Sequence, residues 1–173
     1  MTPNINFSVL TSSDSGHAGA RTDIGGDAII DLMIRNGHSL MERSLEPDDV
    51  SRLSDRMRLW IQRPDIALIL TTGSTGLSPR DVMPEATRAV IEYEVPGMAE
   101  AMRAESMKIT PMAMISRATV GVANQTLIIN LPGNPKGAVE TLEVVLPVLK
   151  HAIEILTGDH QGDHPIKSHK HDH

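Results

Sequence analysis

The chain has no cysteine, which excludes disulfides, thiolate nucleophiles and cysteine-ligated zinc, but leaves the redox compartment open. Aromatic residues are nearly as scarce: Phe7, Trp60 and Tyr93 are one of each kind. A groove that stacks single-stranded nucleic acid needs several rings along a basic surface. No basic excess exists either, since 16 Lys+Arg stand against 22 Asp+Glu for a net charge of −6. That balance is a poor match for a phosphate backbone. Long apolar runs are also missing. The longest, Ile66 to Leu70, falls far below the ~20 residues that span a bilayer. The first ten residues carry no basic stretch followed by an apolar one, as a secretory signal would. These absences lead us to expect a soluble, cytoplasmic domain with neither nucleic acid nor membrane as partner.

What is present suits a single core. A chain of 173 residues is about one domain at ~150 residues each, and can bury roughly 70% of its extended surface. Ile5 to Thr11 reads as a strand running into the polar loop Thr11 to Gly16. Residues 22–36 read as a helix despite Gly25 and Gly26, and Gly37 suits the left-handed position after it. Ser39 to Leu45 reads as a second strand. Pro47-Asp48-Asp49 opens a helix in which Val50, Leu53, Met57 and Ile61 form one stripe, with Pro64 as the stop. Ile66 to Leu70 is a continuous apolar strand, as sheets covered on both faces require. Pro84 and Pro96 suit first helical turns. Thr126 to Leu131 is another buried-type strand ending in Pro132-Gly133-Asn134-Pro135. Ala138, Leu142, Val145, Leu149 and Ala152 mark a last helix, with Pro147 expected to kink it and Gly158 to end it.

Alternating strands and helices predict an α/β fold: a three-layer α/β/α sandwich with a mainly parallel sheet. Ligands in such sheets sit outside the carboxyl ends of the strands. The loops after Thr11, Leu70 and Leu131 should therefore converge on one rim. We expect residues 1–158 to form the domain, followed by a disordered tail over 159–173. That tail holds His160, His164, His169, His171 and His173, a pattern that suits either divalent metal binding or a plain polar tail.

The most informative segment is Thr71-Thr72-Gly73-Ser74-Thr75-Gly76-Leu77-Ser78-Pro79-Arg80-Asp81-Val82. Gly73 and Gly76 let backbone N–H groups approach an anion and three hydroxyls add donors. It is neither a P-loop nor a dinucleotide fingerprint. Read alone, it fits either an anion cradle or an ordinary strand-to-helix connection. Asp48 fits either a helix cap or a functional carboxylate. Arg80 and Arg117 fit either phosphate or a neighbouring carboxylate. Glu42, Glu46 and Asp49 read as solvated charges. The ten methionines, including Met98, Met102, Met107, Met112 and Met114, read as core filler or subunit contacts.

The run TTGSTGLSPRDVMPEAT resembles the signature of molybdopterin adenylyltransferases and of the gephyrin amino-terminal domain, usually TTGGTGxxPRDVTPEAT. The resemblance continues through Ser13-Asp14, Glu94-Val95-Pro96-Gly97, Ile115-Ser116-Arg117 and Leu127 to Lys136. It covers about Ile5 to Gly158 and implies a molybdopterin-binding-domain-like fold. It further implies transfer of AMP from ATP to the terminal phosphate of molybdopterin, with Mg²⁺, in a homotrimer that serves a molybdenum-insertion enzyme. Matched by residue, Asp48 and Asp81 take the place of the two family aspartates tied to catalysis and metal. Ser13, Asp14, Thr72, Gly73, Ser74, Thr75, Gly76, Ser116, Pro132 and Gly133 match its phosphate- and pterin-binding loops. Two aspartates suit Mg²⁺, which takes one or two carboxylates plus substrate phosphates and water. A non-catalytic carrier of the same fold is the other reading. Two positions depart from the pattern. Ser74 stands where the second glycine is usual, and Met83 where a threonine would cap the next helix, a loss of about 1 kcal/mol.

Overall fold

The computed structural model describes residues 4–158; the five tail histidines lie outside the described residues. In chain order the elements are β1 (Asn6–Ser12), α1 (Asp14–His17), α2 (Ile24–Arg35), β2 (Ser39–Glu46), α3 (Val50–Ile61) and β3 (Leu68–Thr72). There follow α4 (Met83–Arg88), β4 (Tyr93–Glu94), α5 (Pro96–Met107), a 3-10 turn (Pro111–Ile115), β5 (Val120–Ala123), β6 (Thr126–Leu131) and α6 (Pro135–Thr157). The sheet order is β2-β1-β3-β6-β5-β4. β2, β1, β3 and β6 run parallel, whereas β5 pairs antiparallel with β6 and β4 with β5. The mainly parallel sheet matches the sequence-based expectation. The antiparallel edge was not anticipated, because two residues of β4 and four of β5 are too few to show a period.

Side chains alternate across each central strand. Phe7 and Val9, Leu68 and Leu70, and Leu127, Ile129 and Leu131 point into a core shared with α2, α5 and α6. Leu10, Ile69 and Ile128 point the other way, toward Leu53, Met57 and Trp60 of α3 and Met83 and Ala86 of α4. All these side chains are buried, each contributing about 1.5–3 kcal/mol for the larger apolar ones. The predicted α3 stripe holds at its centre. Its ends do not: Val50 is 36% exposed and Ile61 only partly buried, because Trp60 takes the inward place. α6 runs on through Pro147 to Thr157, and Gly158 ends it at φ 77°. Gly37 likewise takes a left-handed φ of 84° after α2.

One buried polar side chain ties the layers. Asn130 on β6 is fully enclosed, donating to the hydroxyls of Thr71 (2.9 Å) and Thr87 (2.8 Å) and accepting the Thr119 N–H (3.1 Å). It therefore links β3, α4 and the approach to β5 with its polar atoms satisfied.

His38, buried before β2, accepts the Ile5 N–H at Nδ1 (3.3 Å). Burial pushes its pKa below the ordinary 6.5. The native ring is neutral, so below pH 6.5 the unfolded chain takes up the proton first and stability falls as pH drops. Its contribution is thus complete above that pH. Denaturant titrations from pH 7.5 to 5 should show this loss, at most about 1.4 kcal/mol per pH unit per proton. His38→Gln should flatten that limb.

Candidate active site

β1 lies between β2 and β3, so the chain leaves β1 and β2 toward opposite sides of the sheet through α2 and α3. Such a switch point opens a crevice beyond the strand ends. Three backbones meet there. Gly73 has φ 89°, and a Cβ on it would fall 2.5 Å from the Ser12 carbonyl oxygen. A Cβ on Gly133 would fall 3.2 Å from Gly73 Cα. Thr72 donates its hydroxyl to the Pro132 carbonyl (2.8 Å), holding the β6 loop to β3.

Two recesses flank this junction. A cavity of about 400 Å³ is lined by Ser12, Ser13, Thr72, Gly73 and Gly133, with Arg21 to Gly25 at the start of α2. An apolar groove of about 480 Å³ brings Thr75, Gly76, Ser116 and Pro132 opposite Met102, Ile109, Met112 and Ile115. Of the sequence-predicted residues, Ser13, Thr72, Gly73 and Gly133 line the first recess and Thr75, Gly76, Ser116 and Pro132 the second, whereas Asp14, Asp48, Ser74 and Asp81 line neither. Residues 21–25 and 109–115 were missed as site walls. For the first, the paired Gly25-Gly26 in the opening turn of a helix was the available signal, since a Cβ on Gly25 would lie 3.2 Å from the Gly133 carbonyl.

Asp48 is not the cap of α3. Asp49 is, accepting the Arg52 N–H at 2.9 Å. Asp48 accepts the Ser12 hydroxyl at 2.5 Å, while its own N–H donates to Asp14 Oδ1 at 2.9 Å. Asp14 Oδ2 in turn receives Arg80 at 2.5 and 3.1 Å. The Asp48 N–H first, and Arg80 second, hold the Asp14 carboxyl below its ordinary value. This chain of contacts joins the loop after β2 to the loop carrying Asp81. Asp81 closes its own turn, accepting the Ser78 N–H at Oδ2 (2.9 Å).

Gly76 does not have positive φ; a Cβ there would fall 2.8 Å from Asp81 Oδ2. Its missing side chain makes room for that carboxylate. Ser74, at φ 60°, occupies the left-handed region at a cost of about 1 kcal/mol or more.

Arg117 is committed internally. It donates to the carbonyls of Gly76 (2.8 Å) and Asp81 (2.7 Å) and pairs with Glu85, which lies below its ordinary pKa chiefly through that bond. The solvated-charge reading fails for Glu42 and Glu46, which precede Asp48. Glu46 is buried and bonded to Ser44, Arg52 and Arg56; these outweigh its burial and hold its pKa down. Glu42 pairs with Arg56 and Arg63.

Strand order, switch-point crevice and glycine-lined rim define an α/β ligand-binding domain. The chain belongs to the family described as "Probable molybdopterin binding domain", whose model matches residues 8–151. It is 34% identical over 158 residues to Molybdopterin adenylyltransferase of Helicobacter pylori, covering 90% of each chain. It is 36% identical to Gephyrin of Dictyostelium discoideum, of which it spans 24%. The solved molybdopterin biosynthesis enzyme MoaB of Thermus thermophilus shares 47% identity with a TM-score of 0.84, over 89% of this chain and 97% of that one. No helix among the described residues is long and apolar enough to cross a membrane.

The two loop glycines should respond differently to alanine. Gly73→Ala meets both positive φ and a backbone oxygen, so denaturant unfolding should show a loss of about 2 kcal/mol or more. Gly76→Ala meets only the Asp81 side chain, and should cost under about 1 kcal/mol in the same measurement.

Proposed function

We propose that the chain is a molybdopterin adenylyltransferase. A terminal phosphate oxygen of molybdopterin attacks the α-phosphorus of ATP. A new P–O bond forms, the bond to the β-phosphate oxygen breaks, and its electron pair leaves with pyrophosphate. The observation that supports this best is the pair of aspartates held at the strand ends. Asp48 is freed from capping by Asp49, and Asp81 is tied down at one oxygen only.

The donor set fits Mg²⁺. Among the described residues Asp81 Oδ1 has no hydrogen-bond partner, and Asp48 Oδ2 receives only a 3.4 Å contact from the Asp14 N–H. Among the described residues no three His, Asp or Glu side chains form a ready-made metal cage. An ion held by Asp48 and Asp81 would complete its shell with phosphate oxygens and water. When bound, it would neutralise the phosphate charge that repels the attacking oxygen. The protein's own part is orientation. Ser12 and Asp14 fix Asp48, and Gly76 admits Asp81.

Ser13, Asp14, Thr72 to Gly76, Ser116, Pro132 and Gly133 make the substrate-facing surface in this reading. The 400 Å³ cavity and the 480 Å³ apolar groove would take different parts of the two substrates. Residues 1–158 would suffice for turnover, so truncation after Asp159 should leave the rate unchanged. Delivery to a molybdenum-insertion enzyme in the cytoplasm belongs to the same reading.

Asp48→Asn and Asp81→Asn keep the shape and remove the charge. Each should lower pyrophosphate release from ATP, Mg²⁺ and molybdopterin by about a hundredfold or more, a few kcal/mol at ~1.4 kcal/mol per decade. Molybdopterin affinity, read by calorimetry, should survive. Undiminished release in both variants would remove the two aspartates from catalysis, and no release by the wild-type chain would favour a carrier. A homotrimer is expected too, with the exposed Met107 and Met114 among the apolar side chains a second copy would cover. Light scattering should then give three times 18.8 kDa, and a mass near 18.8 kDa would remove the trimer.

A further inference from the structure

The two departures from the family pattern meet in space. α4 begins without a side-chain cap: Val82 stands at the N-cap and offers no oxygen. Met83, where the pattern has threonine, is fully buried among Leu10, Leu53, Met57 and Trp60. Ser74 binds the chain just ahead of that helix. Its hydroxyl accepts the Val82 N–H at 2.8 Å and donates to the Arg80 carbonyl at 3.1 Å. The Met83 N–H donates to the Ser74 carbonyl at 3.0 Å. The usual glycine at 74 has no side chain to make the first two bonds. Serine makes them while holding an unfavourable left-handed φ of 60°.

These bonds bracket one residue. Ser74 holds the backbone just before Asp81, at the Arg80 carbonyl, and just after it, at the Val82 N–H. Arg117 takes the Asp81 carbonyl itself at 2.7 Å. The Ser78 turn and Gly76 then orient the carboxylate.

We propose that Ser74 is a positioning residue for Asp81. Its hydroxyl clasps the chain on both sides of Asp81 and so fixes the backbone from which the carboxylate projects. The role in turnover rests on the adenylyl-transfer reading; the brace itself does not.

The test uses the full chain and two independent readouts. Amide hydrogen exchange reports the brace without any substrate. Ser74→Gly should speed exchange at Val82 at least tenfold and leave the Leu70 amide in β3 unchanged. Ser74→Asn should keep that protection, because asparagine tolerates left-handed φ and carries an acceptor. In pyrophosphate release, Ser74→Gly should lower kcat about tenfold, more than it changes KM for molybdopterin, and Ser74→Asn should retain most of the wild-type kcat.

Unchanged exchange at Val82 in Ser74→Gly would overturn the brace. Faster exchange with kcat within twofold of wild type, while Asp81→Asn is impaired, would overturn its role in positioning and leave the enzyme reading intact. No release by the wild-type chain would instead remove the enzyme reading, with the exchange data still deciding the brace.

Discussion

The rim depends on how closely three backbones approach at Gly73. The Ser12 carbonyl, the Gly73 Cα and Gly133 lie so near one another that a single Cβ on Gly73 has nowhere to go. That contact draws the ends of β1, β3 and β6 together, and so sets where every loop leaving them begins. The sheet register continues into it: Thr11 pairs with Thr72, and Thr72 with Leu131. The loops are therefore extensions of the ladder rather than free connections. Asn130 secures the same strands one residue back, on the buried side.

Charge completes what the backbone begins. Asp14 is the hinge of the arrangement, because its two oxygens serve different loops: one receives the Asp48 N–H, the other Arg80. A carboxylate held below its ordinary pKa stays ionised through the neutral range, so these links persist there. Arg117 works similarly from the far side, with its guanidinium spread over two carbonyls and a glutamate. Arginine suits this because its donors form a planar fork. Thus Arg80 and Arg117 are both occupied in holding loops, whereas Arg21 lines the cavity itself.

Central strands and long helices were legible because their side chains repeat. Leu68 to Leu70 and Thr126 to Leu131 lie buried on both faces, and an apolar run says so directly. β4 has two residues and β5 includes Gly121, so no period was there to read. Within the site, the convergence of three loops followed from sheet chemistry, and the motif residues do meet. The choice between Asp48 and Asp49 as cap was invisible, since adjacent aspartates differ only in which one the helix's first N–H groups reach. Glu46 read as solvated because its partners, Arg52 and Arg56, come from the next helix rather than the same strand. The meaning of Ser74 required seeing Val82 beside it, eight residues away.

The sheet order has one more consequence, at its borders. On one side the last strand is only Tyr93-Glu94, too short to template a neighbour. On the other, β2 carries Glu42, Arg43 and Glu46, each engaged in ion pairs with flanking helices. Short or charged borders discourage a foreign strand from adding to a sheet. A chain with both borders so guarded is protected against amyloid-like stacking and strand exchange, although its centre is an unbroken run of β-prone hydrophobic sequence.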